Sequence, residues 1–221
     1  LSRIAIIAAM PREVAPLVKG WKRDDALQAE KIFVWESERA VVACAGMGAR
    51  RVGMAVDAAC RRGNVTELVS VGWAGALHGG LRAASVHRPA TVIDAQTGER
   101  FACAGGDGVV VTVAAVAGAA EKQRLRASYN ADLVEMEAAT VARMAEARGL
   151  RFRAVKAVSD EFDFEMKDLA LFSTPDGQFR EAAFGLHVAL RPWLWAGVMA
   201  MAGHSKRSAE ALCAALREDL R

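Results

Sequence analysis

Short apolar runs alternate with helix-like segments along most of this chain, and that alternation limits its architecture more than any other feature. Residues 4–9 form a continuous apolar run of strand length. Pro11 then suits the first turn of a helix reaching about residue 20, because the N–H it lacks is one that a helix start leaves unpaired anyway. Residues 31–36 and 40–45 read as a strand pair turned at 37–39. Gly46-Met47-Gly48 leads into a helix over 50–62, and 68–71 is a short buried strand closed by Gly72-Trp73-Ala74-Gly75. Further strands are expected at 89–94, 100–103 and 109–113, a helix at 119–128, and a short strand or bend at 133–135. A helix over 137–148 is closed by Gly149, and a strand over 152–158 is followed at once by Ser159-Asp160. Residues 161–180 read as a long loop, and two helices finish the chain, divided near Arg191-Pro192 or at Gly203. Strands alternating with helices predict an α/β fold: one domain over 1–221, with a central mixed sheet flanked by helices on both faces. In such sheets, ligand groups gather beyond the C-terminal ends of strands. Glu13, Gly46–Gly48, Gly72–Gly75 and Asp160 all fall there.

Composition narrows the function classes. With 53% hydrophobic residues and a net charge of only +3, the chain can bury a core, and disorder is excluded. Alanine makes up about a fifth of the chain, well above ordinary usage, and only 6% is aromatic, so small side chains must let helices and sheet pack closely. The 29 basic residues are scattered and nearly balanced by 26 acidic ones, which argues against nucleic acid as a partner. Cys44, Cys60, Cys103 and Cys213 form no CxxC pair and match no zinc spacing, so no metal or cofactor is expected, and they read as reduced thiols of a cytoplasmic protein. The apolar run 4–10 is too short for a signal-peptide core. The run 182–203 has the length of a membrane span but holds His187, Arg191 and Pro192, and a charge costs about 2.5–3.5 kcal/mol at a helix centre. A packed helix pair is the expectation there, and a peripheral membrane contact through Trp193 and Trp195 is the alternative.

Read one at a time, the polar motifs have ordinary explanations. Acidic residues in a helix's first turn gain about 0.3–1 kcal/mol from its dipole, which accounts for Glu135 and for Glu13. Asp160 could cap a helix or sit in a loop. Gly46-x-Gly48 invites a dinucleotide reading, but the third glycine of that fingerprint is replaced by Arg51. A tight turn with N–H groups facing a small ligand is the better reading.

Taken together, four segments resemble the nucleoside phosphorylase/nucleosidase family, specifically its methylthioadenosine/S-adenosylhomocysteine nucleosidase branch. They are 4–14 (IAIIAAMPREV), 44–48 (CAGMG), 71–75 (VGWAG), and 133–138 (LVEMEA) followed by 155–160 (VKAVSD). The stretch 111–139, with Glu121-Lys122-x-x-Leu125, is similar to hopanoid-associated phosphorylases. The resemblance implies cleavage of the N-glycosidic bond of a purine nucleoside, with no cofactor, in a homodimer. It implies Asp160 as the acid at purine N7, Glu13 as the carboxylate that activates water, and Glu137 as acceptor for the ribose hydroxyls. Met136 would pack on the sugar, with Glu135, Gly46 and Gly48 lining the site. The chemistry suits paired carboxyl groups on opposite faces of a sugar, as in inverting glycosidases.

The chain departs from the family at three places. Trp73 stands where a small residue is usual, and would reshape the pocket or stack on a ligand. Lys156 replaces an arginine that supports the catalytic aspartate, keeping the charge but losing the planar fork. The nucleosidases' base-stacking phenylalanine has no counterpart near Val113, leaving Phe162, Phe164 or Phe172 to replace it. If phosphate rather than water is the co-substrate, Arg12, Arg50 and Arg51 would hold it, whereas Glu13 would repel it. Hydrolysis is the expectation.

Overall fold

A computed structural model describes residues 2–163, 169–172, 180, 183, 184, 187 and 195–221. Among the described residues, eleven strands join in one mixed sheet. The chain begins with β1 (Arg3–Ala8), α1 (Pro11–Val18), β2 (Lys22–Asp24), β3 (Phe33–Glu36), β4 (Ala40–Cys44), α2 (Ala49–Cys60) and β5 (Val65–Ala76). It continues through β6 (Val86–His87), β7 (Thr91–Asp94), β8 (Arg100–Ala102), β9 (Val109–Thr112) and α3 (Ala119–Tyr129). It ends with β10 (Leu133–Glu135), α4 (Ala138–Glu146), β11 (Arg151–Asp160) and α5 (Trp195–Asp219).

The sheet runs β2-β3-β4-β1-β5-β10-β9-β7-β8, with β11 paired to β5 and β6. β1 pairs parallel with β4 and β5, and β11 is parallel to β5, while β10 meets β5 antiparallel. The helices divide between the faces, as the alternation predicts. α2 and α4 cover a core containing Ile7, Val52, Val56, Leu68, Val141 and Ala142. α1 and α5 close the opposite face over Ile6, Val14, Val69, Val155, Leu212 and Leu216. Ile6 and Ile7 serve different cores because successive strand side chains point to opposite faces. The strands of the middle are therefore apolar on both sides, which is why 4–9 reads as an unbroken hydrophobic run.

Three sequence expectations are corrected. The strand expected at 68–71 does not stop at its glycines. β5 continues to Ala76, because β11 pairs with it residue for residue, Lys156 opposite Gly72 through Val158 opposite Ala74. Likewise Ser159 and Asp160 belong to β11, with a register shift placing Asp160 opposite Gly75. Gly203 does not divide two helices but lies inside α5, whose later turns are anchored by the buried Leu212, Cys213 and Leu216. The alternative division at Arg191-Pro192, Trp193, and most of the 161–180 loop lie outside the described residues. β2 and β6 were not anticipated, since three- and two-residue strands carry no readable alternation. Among the described residues, no helix is long and apolar enough to cross a membrane.

Gly72 is where the continuation of β5 becomes demanding. Its φ of +144° is one that L side chains rarely adopt, and an added Cβ would stand 3.0 Å from Glu13 Oε1. Gly72→Ala is expected to destabilise the protein by about 1–3 kcal/mol through backbone strain and that clash. Urea unfolding measures it, and a loss below about 0.5 kcal/mol would mean the strand relaxes freely at this point.

Candidate active site

Two carboxylates meet the second half of β5, Glu13 at Gly72 and Asp160 at Gly75, and a third, Glu137, lies near enough to Glu13 to feel its charge. Glu13 comes from the first turn of α1. One of its oxygens accepts the Met10 N–H at 2.7 Å, reaching back over the helix start as a capping glutamate does. The other accepts the backbone N–H of Trp73 at 3.2 Å. The bare Cα of Gly72 leaves room for this approach. Glu13 is buried, and burial raises its pKa. The two N–H donors and the nearby charges of Lys156 and Arg12 hold that rise in check.

Glu137 caps α4 from the turn after β10, and its Oε1 accepts the Gly48 N–H at 2.9 Å. The tight Gly46–Gly48 turn thus points one of its N–H groups at a protein carboxylate. Gly46 itself donates to the Ala9 carbonyl, tying the turn to the end of β1. The pKa of Glu137 is pushed up to about 8, first by withdrawal from solvent and then by the neighbouring Glu135 charge, against the pull of Lys156 and Gly48. Glu13 adds to the same repulsion, so the two carboxylates share one enclosure.

Asp160 sits at the end of β11. Its Oδ1 accepts the Ser159 hydroxyl at 2.6 Å, and its Oδ2 accepts the Lys122 ammonium at 2.5 Å. Lys122 reaches it from α3 and also donates to the Glu161 carbonyl at 2.9 Å. A Cβ on Gly75 would lie 2.8 Å from Asp160 Oδ2 and 3.2 Å from Lys122 Cε, so a bare glycine is what lets this pair cross the strand.

Lys156 does something other than support Asp160. Its fully buried ammonium donates to Glu135 Oε2 at 2.9 Å and Ser70 Oγ at 3.0 Å. Glu135 also collects the N–H groups of Glu137 and Ala138 and the Thr112 hydroxyl. Its carboxylate is spent holding the turn that presents Glu137, so it lies beneath the site rather than lining it. Lys122 was missed as a partner of Asp160. Its signal was present: on the otherwise hydrophilic α3, Lys122 and Leu125 share one buried face three residues apart.

The remaining candidates divide. Arg51 is withdrawn from any phosphate role, because its guanidinium donates to the backbone carbonyls of Ala45, Glu30 and Lys31. Arg50 is exposed in the first turn of α2. Trp73 is half-buried, with the Arg12 guanidinium 5.2 Å from its ring centre, a cation–π distance. Its indole Nε1 is enclosed with no hydrogen-bond partner among the described residues. Met136 and Phe162 are half-buried. Phe172 is buried edge-on against Phe184 and His187, so it packs rather than offering a stacking face, and Phe164 lies outside the described residues. Among the described residues no group of His, Cys, Asp and Glu could hold a metal ion.

A family model described as the phosphorylase superfamily matches residues 3–107 and 100–184. No curated protein matches the sequence. Among solved structures, the chain is similar to the 5′-methylthioadenosine nucleosidase of Arabidopsis thaliana, with a TM-score of 0.75 and 15% identity over 99% of this chain and 94% of that one. The 5′-methylthioadenosine/S-adenosyl homocysteine nucleosidase of Helicobacter pylori aligns with a TM-score of 0.73 and 15% identity over 98% and 97%. The futalosine hydrolase of the same organism gives 0.72 and 15% over 98% and 96%. At such identities the likeness is one of fold.

Two measurements test this electrostatic arrangement. Lys156→Met leaves Glu135 buried and unpaired, and should cost about 3–5 kcal/mol in urea unfolding. Adding Glu135→Leu should recover a large part of that loss, although the Thr112 and turn contacts go with it. Glu137 provides the second test. Its folded pKa of about 8 lies above the usual 4.5, so between those values the folded state holds the extra proton and stability falls as pH rises. Glu137→Gln should therefore gain in melting temperature over the parent as pH is raised from 5 to 8. A constant difference across that window would contradict the raised pKa.

Proposed function

The chain belongs to the phosphorylase superfamily of nucleoside-acting enzymes, and on that premise we propose that it hydrolyses the N-glycosidic bond of a purine nucleoside of the methylthioadenosine or S-adenosylhomocysteine type. The observation that carries this reading is that Glu13 and Asp160 meet the same stretch of β5, at Gly72 and Gly75, while Glu137 lies near enough to Glu13 to feel its charge. Such a set can serve the three places where charge changes when the bond breaks. As the C1′–N9 bond opens, its electron pair moves into the base, and Asp160 passes a proton to N7. The sugar becomes cationic, and Glu13 takes a proton from the water whose oxygen bonds to C1′. Glu137 receives the ribose hydroxyls, with Met136 against the sugar and Gly46 and Gly48 forming the wall behind it. The products are the free base and the free sugar, and solvent resets the two carboxyl groups.

Water fits this site better than phosphate. Glu13 is enclosed beside the reacting position, where a phosphate would meet a second anion in a medium of low dielectric. Arg51 is consumed by three backbone carbonyls, and the Arg12 guanidinium stands against the indole of Trp73. The half-buried rings of Trp73 and Phe162 are suited to a purine or its 5′ substituent. Support for a homodimer comes from the family resemblance, and support for a cytoplasmic location from four cysteines that form no CxxC pair.

Incubation with 5′-methylthioadenosine or S-adenosylhomocysteine in phosphate-free buffer should release adenine, followed by chromatography. Asp160→Asn and Glu13→Gln should each lower kcat by about 10²–10⁴-fold. Absence of base release from both nucleosides at high enzyme concentration would overturn the reading. Release that requires phosphate would replace hydrolysis with phosphorolysis.

A further inference from the structure

We infer that Lys122 is the positioning residue of the general acid, supplying from α3 the cation that faces Asp160 as it gives up its proton. The inference rests on the reading of Asp160 as the acid at the base. Lys122 is 1% exposed, yet it is a lysine, the side chain that most readily keeps its head in water. A buried ammonium must be met by an anion or by several acceptors, and here two oxygens accept from it, Asp160 Oδ2 at 2.5 Å and the Glu161 carbonyl at 2.9 Å. The architecture is built around that meeting. α3 buries only Lys122 and Leu125, so the lysine sits on the face the helix turns to the sheet. Gly75 lacks the Cβ that would collide with both partners. Ser159 fixes the other carboxylate oxygen at 2.6 Å, so Asp160 is held at both ends.

This arrangement has a direction in the reaction. While Asp160 carries its proton it is neutral; once the proton passes to N7 it is a carboxylate with Lys122 already opposite. The interaction therefore strengthens as the base leaves, which is the condition for lowering the barrier rather than merely binding substrate. Lys122 keeps its own proton throughout. Lys156, the strand lysine at the position of the family's supporting arginine, is occupied with Glu135 and Ser70 and cannot serve. The support has moved from the strand to a helix on the other side of β5.

The test is a double-mutant cycle read in kcat and KM for adenine release. Lys122→Met should lower kcat by about 10²-fold with KM changed by less than about threefold, because the lysine does not touch substrate. In an Asp160→Asn background the same substitution should change kcat by less than about threefold, since Lys122 acts only through that carboxylate. Lys122→Ala should regain turnover in ethylammonium, and Asp160→Asn should not. A kcat loss for Lys122→Met below about tenfold, or losses that multiply in the double variant, would overturn the inference. If Lys122→Met does not fold, Lys122→Gln, which keeps a donor but not the charge, decides on the same tenfold threshold. A wild-type enzyme that releases no base overturns the functional reading and this inference with it. An active wild type with an unaffected Lys122→Met overturns the inference alone.

Discussion

An ammonium with no exposed surface lies under the site, and the placing of the acidic groups depends on it. Lys156 pairs with Glu135 in full burial, and its charge also reaches Glu13 and Glu137. Its charge opposes the rise that burial imposes on Glu13 and Glu137. With it, Glu135 stays fixed as the acceptor that organises the β10–α4 turn, and Glu137 is presented at the start of α4. Such a buried pair adds little net stability of its own. Its contribution is to specify one arrangement of the turn.

β5 turns that arrangement into a site. It pairs with β1 over 65–70, with β11 over 67–75 and with β10 at Gly75 and Ala76, so it is the strand through which the two halves of the sheet communicate. Its two bare positions perform different tasks. Gly72 admits the carboxylate of Glu13 from α1, and Gly75 admits the Lys122–Asp160 pair. The residue between them that carries a large side chain, Trp73, holds Glu13 with its backbone N–H while its ring lies under Arg12. A substitution in the backbone of this strand therefore acts on two carboxylates at once.

Much of this was legible in the chain. The run 4–9, the turn at Gly46–Gly48 and the helix after Glu137 are local patterns, and each formed within a residue or two of its expected bounds. The length of β5 was not legible, because glycines read as a stop where long-range pairing with β11 in fact carries the strand on. Partner choice was harder still. The resemblance sets Lys156 to support Asp160, whereas Lys122 lies 38 residues before it, and only the fold shows that the strand lysine turns to Glu135 while the helix lysine takes Asp160. Arg51 looked like a phosphate ligand because its three partners, the carbonyls of Glu30, Lys31 and Ala45, are backbone groups that no side-chain pattern reveals.

The proposed reading sets Asp160 on the base side, Glu13 on the water side and Glu137 at the ribose, and its central claim is that water, not phosphate, reaches C1′. The direct measurement is turnover of 5′-methylthioadenosine in ¹⁸O-labelled water containing inorganic phosphate, with the sugar product analysed by mass spectrometry. The account predicts a free sugar carrying one ¹⁸O at C1′ and no sugar phosphate. An unlabelled sugar 1-phosphate as the product would contradict it.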